Sequence, residues 1–156
     1  GRMPWEYPHV WRKPLEREGY LDLFARLGAG PLRDAVAFEP FGADMGTWYT
    51  KVGWMLSPSA TESFHLAPVE GMVSGAVPVV WDREGARDVF DDRWIVADAQ
   101  AAAQRILDAA DAEGDWAALS DLARTEVGRY DERVVADLWR DAVLPPRPRS
   151  ERPSYT

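Results

Sequence analysis

Two apolar runs set the pattern of the chain. Val52-Gly53-Trp54-Met55-Leu56 and Ala76-Val77-Pro78-Val79-Val80-Trp81 are short and nearly unbroken, as strands buried on both faces are. Between them, residues 57–66 read as a loop that turns into a short helix. Strand, loop, helix and strand make a βαβ crossover, which is right-handed and belongs to a parallel sheet. Ligands of such sheets sit outside the carboxyl ends of the strands, and residues 57–66 lie at such an end.

The flanks fit the same architecture. Leu15–Leu27 predicts an amphipathic helix with Tyr20, Leu21, Phe24 and Leu27 on one face and Gly28-Ala29-Gly30-Pro31 as its stop. Asp34-Ala35-Val36-Ala37-Phe38 predicts a strand, followed by the turn Glu39-Pro40-Phe41-Gly42. Residues 44–51 predict a short helix with Met45, Trp48 and Tyr49 inward. Beyond Trp81 come a charged loop, a strand at Trp94-Ile95-Val96-Ala97, and helices over 101–112, 116–127 and 132–143. Residues 1–11 carry two prolines and no period, so they read as irregular. Residues 144–156 read as a disordered tail. The prediction is an α/β fold, a Rossmann-like open parallel sheet with flanking helices, in one domain over residues 1–143.

The loop carries the candidate chemistry. Proline is tolerated in a first helical turn but not in a helix interior, so Pro68 places the helix start near residues 65–67. The N–H groups of Ser63, Phe64, His65 and Leu66 then point out of the helix end and offer a site for an anion such as phosphate. Glu62 stands before that end, and Glu70 is expected inside the first turn. Carboxylates accept paired hydrogen bonds from diols, so this layout suits a ligand with phosphate in the middle and hydroxyls at both ends, as in a nucleotide sugar. A plain structural reading stands beside this one: a Glu in a first turn is favourable with the helix dipole in any protein, and Thr61 and Ser63 have ordinary local capping ability.

Glu62, seven residues and then Glu70, set between Leu56-Ser57-Pro58-Ser59 and Gly71-Met72-Val73-Ser74-Gly75-Ala76-Val77-Pro78-Val79-Val80, resembles the core motif of the family 4 retaining glycosyltransferases of the GT-B fold. The likeness runs in order over about residues 34–97. It implies the C-terminal, donor-binding domain, facing an acceptor held by a separate N-terminal domain. By motif position it implies that Glu70 binds the ribose hydroxyls, Glu62 the hydroxyls of the transferring sugar as the catalytic-site carboxylate, and the amides from Ser63 to Leu66 the pyrophosphate. Phe41 and Gly42 stand where the nucleobase lies. The implied enzyme is a hexosyltransferase acting on a hydroxyl acceptor, without metal or cofactor and with the nucleoside diphosphate sugar as substrate. The comparison also implies that the first strand of the domain, with its phosphate-binding basic residues, lies upstream of Gly1. On that reading the chain is a fragment, inactive alone. The chain departs from the family pattern at Ser63 and His65, which stand where glycines are usual, and at Glu84-Gly85, which replaces a glycine pair, while the acid that usually follows appears as Asp88. His65 is either a hydrogen-bonding group on the donor side or a bulky loop residue.

Composition narrows the classes. With 156 residues, 46% hydrophobic, and a net charge of −8, the chain is long enough for a real core and offers no basic footprint for nucleic acid. Arg2, Arg12 and Lys13 read as solvated surface charge. With no Cys and only His9 and His65, a disulfide is excluded and a zinc site is not expected. Asp82 and Glu84 have the look of a metal-binding acidic pair, but that pair belongs to a different, manganese-dependent fold. No apolar stretch approaches a membrane span, so the default is a cytoplasmic protein able to sit peripherally at a membrane. Two rivals keep the fold: a non-catalytic nucleotide-sugar-binding or scaffold domain, and a doubly wound signalling or assembly domain without the ligand.

Overall fold

The computed structural model describes residues 3–40, 42–112 and 115–144. The chain forms two compact units, Gly1–Met45 and Gly46–Thr156. Arg2, Phe41 and residues 145–156 of the predicted tail lie outside the described residues.

In the first unit, Pro4 begins a 3-10 turn, Pro4–Glu6, and Pro8 begins α1, Pro8–Trp11. The segment expected to be irregular is therefore partly helical, because the fixed φ of proline suits a first helical position that needs no N–H. Helix α2, Pro14–Leu27, half-buries Tyr20, Phe24 and Leu27, while Leu21 is exposed. The Phe24 ring packs 5.4 Å from Trp5 and 5.4 Å from Phe38. The strand expected over residues 34–38 does not form. Residues 33–35 are a turn, and residues 36–40 join no ladder among the described residues. β-type composition makes a strand only where another strand meets its backbone groups.

Helix α3, Met45–Tyr49, is shorter than expected and buries Tyr49. The second unit then builds the predicted parallel sheet. Strands β1 (Trp54–Ser57), β2 (Val77–Trp81) and β3 (Ile95–Val96) lie in the order β1-β2-β3, both pairings parallel. β2 is central and almost wholly buried. Pro78 fits there because β3 pairs only with Val80 and Trp81, leaving β2 at Pro78 with β1 as its ladder neighbour. Trp94, expected in the last strand, closes the 3-10 turn Asp92–Trp94 instead and is 1% exposed.

Helix α4, Leu66–Val73, follows β1, and α5, Ala86–Val89, follows β2. Helices α6 (Ala99–Asp111), α7 (Asp115–Val127) and α8 (Glu132–Val143) complete the unit. Asp98 and Asp131 cap α6 and α8 by accepting from the N–H of Ala101 and of Arg133. Val69 and Met72 of α4, Val77 and Val80 of β2, and Ala123 and Val127 of α7 share one core cluster with Phe90 and Trp94. Val79, Val96 and Ala102 of α6 form a second. The sheet is thus packed between helices, an α/β arrangement as predicted. No helix is long and apolar enough to cross a membrane among the described residues.

The turn from α4 into β2 aligns the motif helix with the sheet. Gly75 N–H bonds Met72 O at 2.9 Å and Ala76 N–H bonds Gly71 O at 2.9 Å, which is a Schellman closure. Gly75 sits at φ +96°, and a Cβ there would meet the Arg124 guanidinium. From α7, the Ser120 hydroxyl donates to Gly75 O at 2.7 Å and pins the turn.

Candidate functional site

The register Trp54↔Val77 through Ser57↔Val80 brings the carboxyl ends of β1 and β2 to one edge of the sheet. The motif loop, residues 58–65, leaves that edge from β1, and residues 82–85 leave it from β2. The loop is held from below by Phe64, which packs on the core and meets Tyr130 edge-to-face at 4.8 Å. Tyr130 is held in turn by its hydroxyl, which donates to Val89 O at 2.9 Å.

His65 is the N-cap of α4 with φ 60°, the left-handed region, and it makes no side-chain capping bond. It is the only non-glycine residue at positive φ among the described residues. Such a conformation costs free energy that surrounding contacts must offset. The contact is present: His65 Nδ1 lies 2.8 Å from the Oγ of Ser57, a residue 1% exposed at the end of β1. On the other side of the ring, Nε2 is 3.7 Å from Glu62 Oε1. Glu62 also accepts from the Ser59 hydroxyl at 3.1 Å. The loop therefore gathers Ser57, Ser59, Glu62 and His65 into one polar group at the sheet edge.

The N–H groups of Ser63, Phe64, His65 and Leu66 find no protein acceptor among the described residues. Ser63 and Leu66 are exposed, and Phe64 is half-buried. Amides without a protein acceptor at a helix start are the groups that an anion there can engage.

Glu70 lies just past the first turn, inside which it was expected. With Leu66 as the first helical residue, Glu70 is the fifth, and no acidic residue occupies the first turn of α4. The helix macrodipole fades within the first turn, so the dipole gives Glu70 little stabilisation. Its carboxylate instead accepts from the hydroxyl of Tyr49 at 3.1 Å. Burial first, and then the Glu70 carboxylate, push the Tyr49 phenol above its ordinary value.

Gly42 lies exposed in the first unit, and Phe41 is outside the described residues. Asp82 is engaged by Arg87, one contact being 3.2 Å, and the hydrogen bond from Arg87 holds the Asp82 carboxyl below its ordinary value. No group of three or more His, Cys, Asp or Glu residues that could hold a metal ion occurs among the described residues.

Three residues were not singled out as functional from sequence. Ser57 ends an apolar run, a weak signal in itself. Tyr49 read only as an inward aromatic. Arg83, two residues beyond β2, gave no signal at all. It is 8% exposed; among the described residues its Nε and Nη2 have no hydrogen-bond partner, and Nη1 reaches Glu84 O at 3.4 Å.

A parallel sheet flanked by helices, with the loop after its first strand opening into a helix N-terminus, defines a Rossmann-like α/β domain. The comparison with known families is specific. Residues 14–112 match the model of the family described as Glycosyl transferases group 1, and the chain belongs to that family. It is therefore a glycosyltransferase domain. No curated protein matches the chain.

Proposed function

We propose that this domain binds the donor of a retaining glycosyltransferase, which moves a sugar from a nucleoside diphosphate to a hydroxyl acceptor. The observation that carries the proposal is the start of α4 at the carboxyl edge of the sheet, where the amides from Ser63 to Leu66, in sequence between Glu62 and Glu70, find no acceptor among the described residues. In this reading the amides take the pyrophosphate, Glu70 the ribose diol and Glu62 a hydroxyl of the transferring sugar. Preorganised amides stabilise the charge that develops on the leaving diphosphate, which is the step a metal serves in other transferases. Phe41 and Gly42 serve the nucleobase, and a separate N-terminal domain supplies the acceptor. The reading is of a hexosyltransferase of the family 4 type, with helix-end amides rather than a metal holding the diphosphate.

Calorimetric titration of the full-length protein with UDP and GDP, followed by sugar transfer from the matching nucleotide sugars, tests the reading. Saturable binding with transfer is expected. Binding without turnover would turn the domain into a nucleotide-sugar-binding scaffold, and absence of any saturable binding would remove the donor site.

A further inference from the structure

The Ser57–His65–Glu62 arrangement has a polarity that suggests what it reads. Ser57 is closed off from solvent at the end of β1, and its Oγ lies 2.8 Å from His65 Nδ1. At the outer edge of the ring, Nε2 and Glu62 Oε1 are 3.7 Å apart, with side chains 18% and 33% exposed. That separation is too long for a direct hydrogen bond, and a hydroxyl seated beside the pair can reach both atoms. The imidazole holds its place at an unfavourable backbone angle, φ 60°. Such strain persists where surrounding contacts over-determine it.

We propose that Ser57 and His65 form a hydroxyl-reading device beside Glu62. The Ser57 hydroxyl donates to Nδ1 of His65, which places the ring proton on Nε2. A ligand hydroxyl seated beside the pair then accepts from Nε2–H and donates to Glu62. A hydroxyl can do both at once, whereas fluorine cannot donate and hydrogen can do neither. Ser57 is thus a positioning residue and His65 a specificity-determining one. The inference rests on the nucleotide-sugar reading of the site, in which the hydroxyl belongs to the transferring sugar.

The test has one arm free of ligand and one that needs it. In the first, nitrogen-15 spectra of the ¹⁵N-labelled chain report the His65 tautomer. The neutral ring is expected as the Nε2–H form in the wild type, as a tautomer mixture in Ser57→Ala, and as Nε2–H again in Ser57→Thr. A wild-type ring protonated on Nδ1, or a tautomer that ignores Ser57→Ala, overturns the proposal whatever the ligand. In the second, the full-length protein is titrated with UDP, GDP, UDP-glucose and GDP-mannose, and with deoxy and deoxyfluoro forms of whichever sugar binds. The gain in affinity of the nucleotide sugar over the bare nucleotide is expected to fall about three- to tenfold in Ser57→Ala. Both the deoxy and the deoxyfluoro sugar at one ring position are expected to lose a comparable amount in the wild type. An unchanged gain in Ser57→Ala, or no discrimination at any ring position, overturns the proposal and leaves the donor site standing. Absence of nucleotide binding by the wild type removes both.

Discussion

Replacing Glu70 by glutamine separates a ligand role from a structural one. Gln keeps the shape and one amide oxygen but loses the charge. The structure sets the stability cost: the residue accepts one protein hydrogen bond, from Tyr49 at 3.1 Å, and an amide oxygen can still accept it. Loss of charge assistance there is worth about 0.5 to 1 kcal/mol. For a chain of 156 residues that lowers the melting temperature by only a few degrees. Dipole stabilisation contributes little, because α4 begins four residues earlier, at Leu66. If the carboxylate also binds a ribose diol, the lost bonds are charge-assisted and worth roughly 1.5 to 3 kcal/mol, or about 10- to 100-fold in nucleotide affinity. Calorimetric titration with UDP or GDP, paired with a thermal melt of the same variant, reads both quantities. Unchanged nucleotide affinity beside a lowered melting temperature would refute the ribose assignment.

Tyr49→Phe tests the other end of that bond. The phenol is raised above 10.0, so the stability it contributes is complete below pH 10 and is lost as pH rises through the folded value. The variant is expected to be less stable by about 0.5 to 1.5 kcal/mol at neutral pH. It should also lose stability less steeply above pH 10, as followed by urea unfolding. Gly75→Ala places a side chain at φ +96° against Arg124 and should cost about 1 to 2 kcal/mol in the same assay, so a neutral result would mean the turn is looser than the structure has it. Arg83→Met removes a buried guanidinium with two unpartnered nitrogens and keeps most of the volume, so the melting temperature is expected to rise, by the equivalent of about 1 to 3 kcal/mol. A fall would show that the charge has a stabilising partner.

What the sequence determined by itself lay within the reach of local rules. The apolar runs at 52–56 and 76–81 marked β1 and β2, and Pro68 placed the helix start within a residue or two of Leu66. The helix predicted over residues 132–143 is α8, Glu132–Val143. The spacing of Glu62 and Glu70 around that helix start marked the candidate site, because periodicity and backbone chemistry act over a few residues. Tertiary structure decided the partners. The segment 34–38 has strand composition and no ladder, since a strand exists only where another chain segment supplies its hydrogen bonds. Glu70 acquired its hydrogen bond from Tyr49, twenty-one residues away, and Ser57 met His65 only because β1 and the loop fold back on one edge of the sheet. Arg83 lost its water to packing that no neighbour in sequence foretells. Hydrophobic pattern records which side of an element faces the core, whereas the identity of the group opposite depends on how distant elements are brought together.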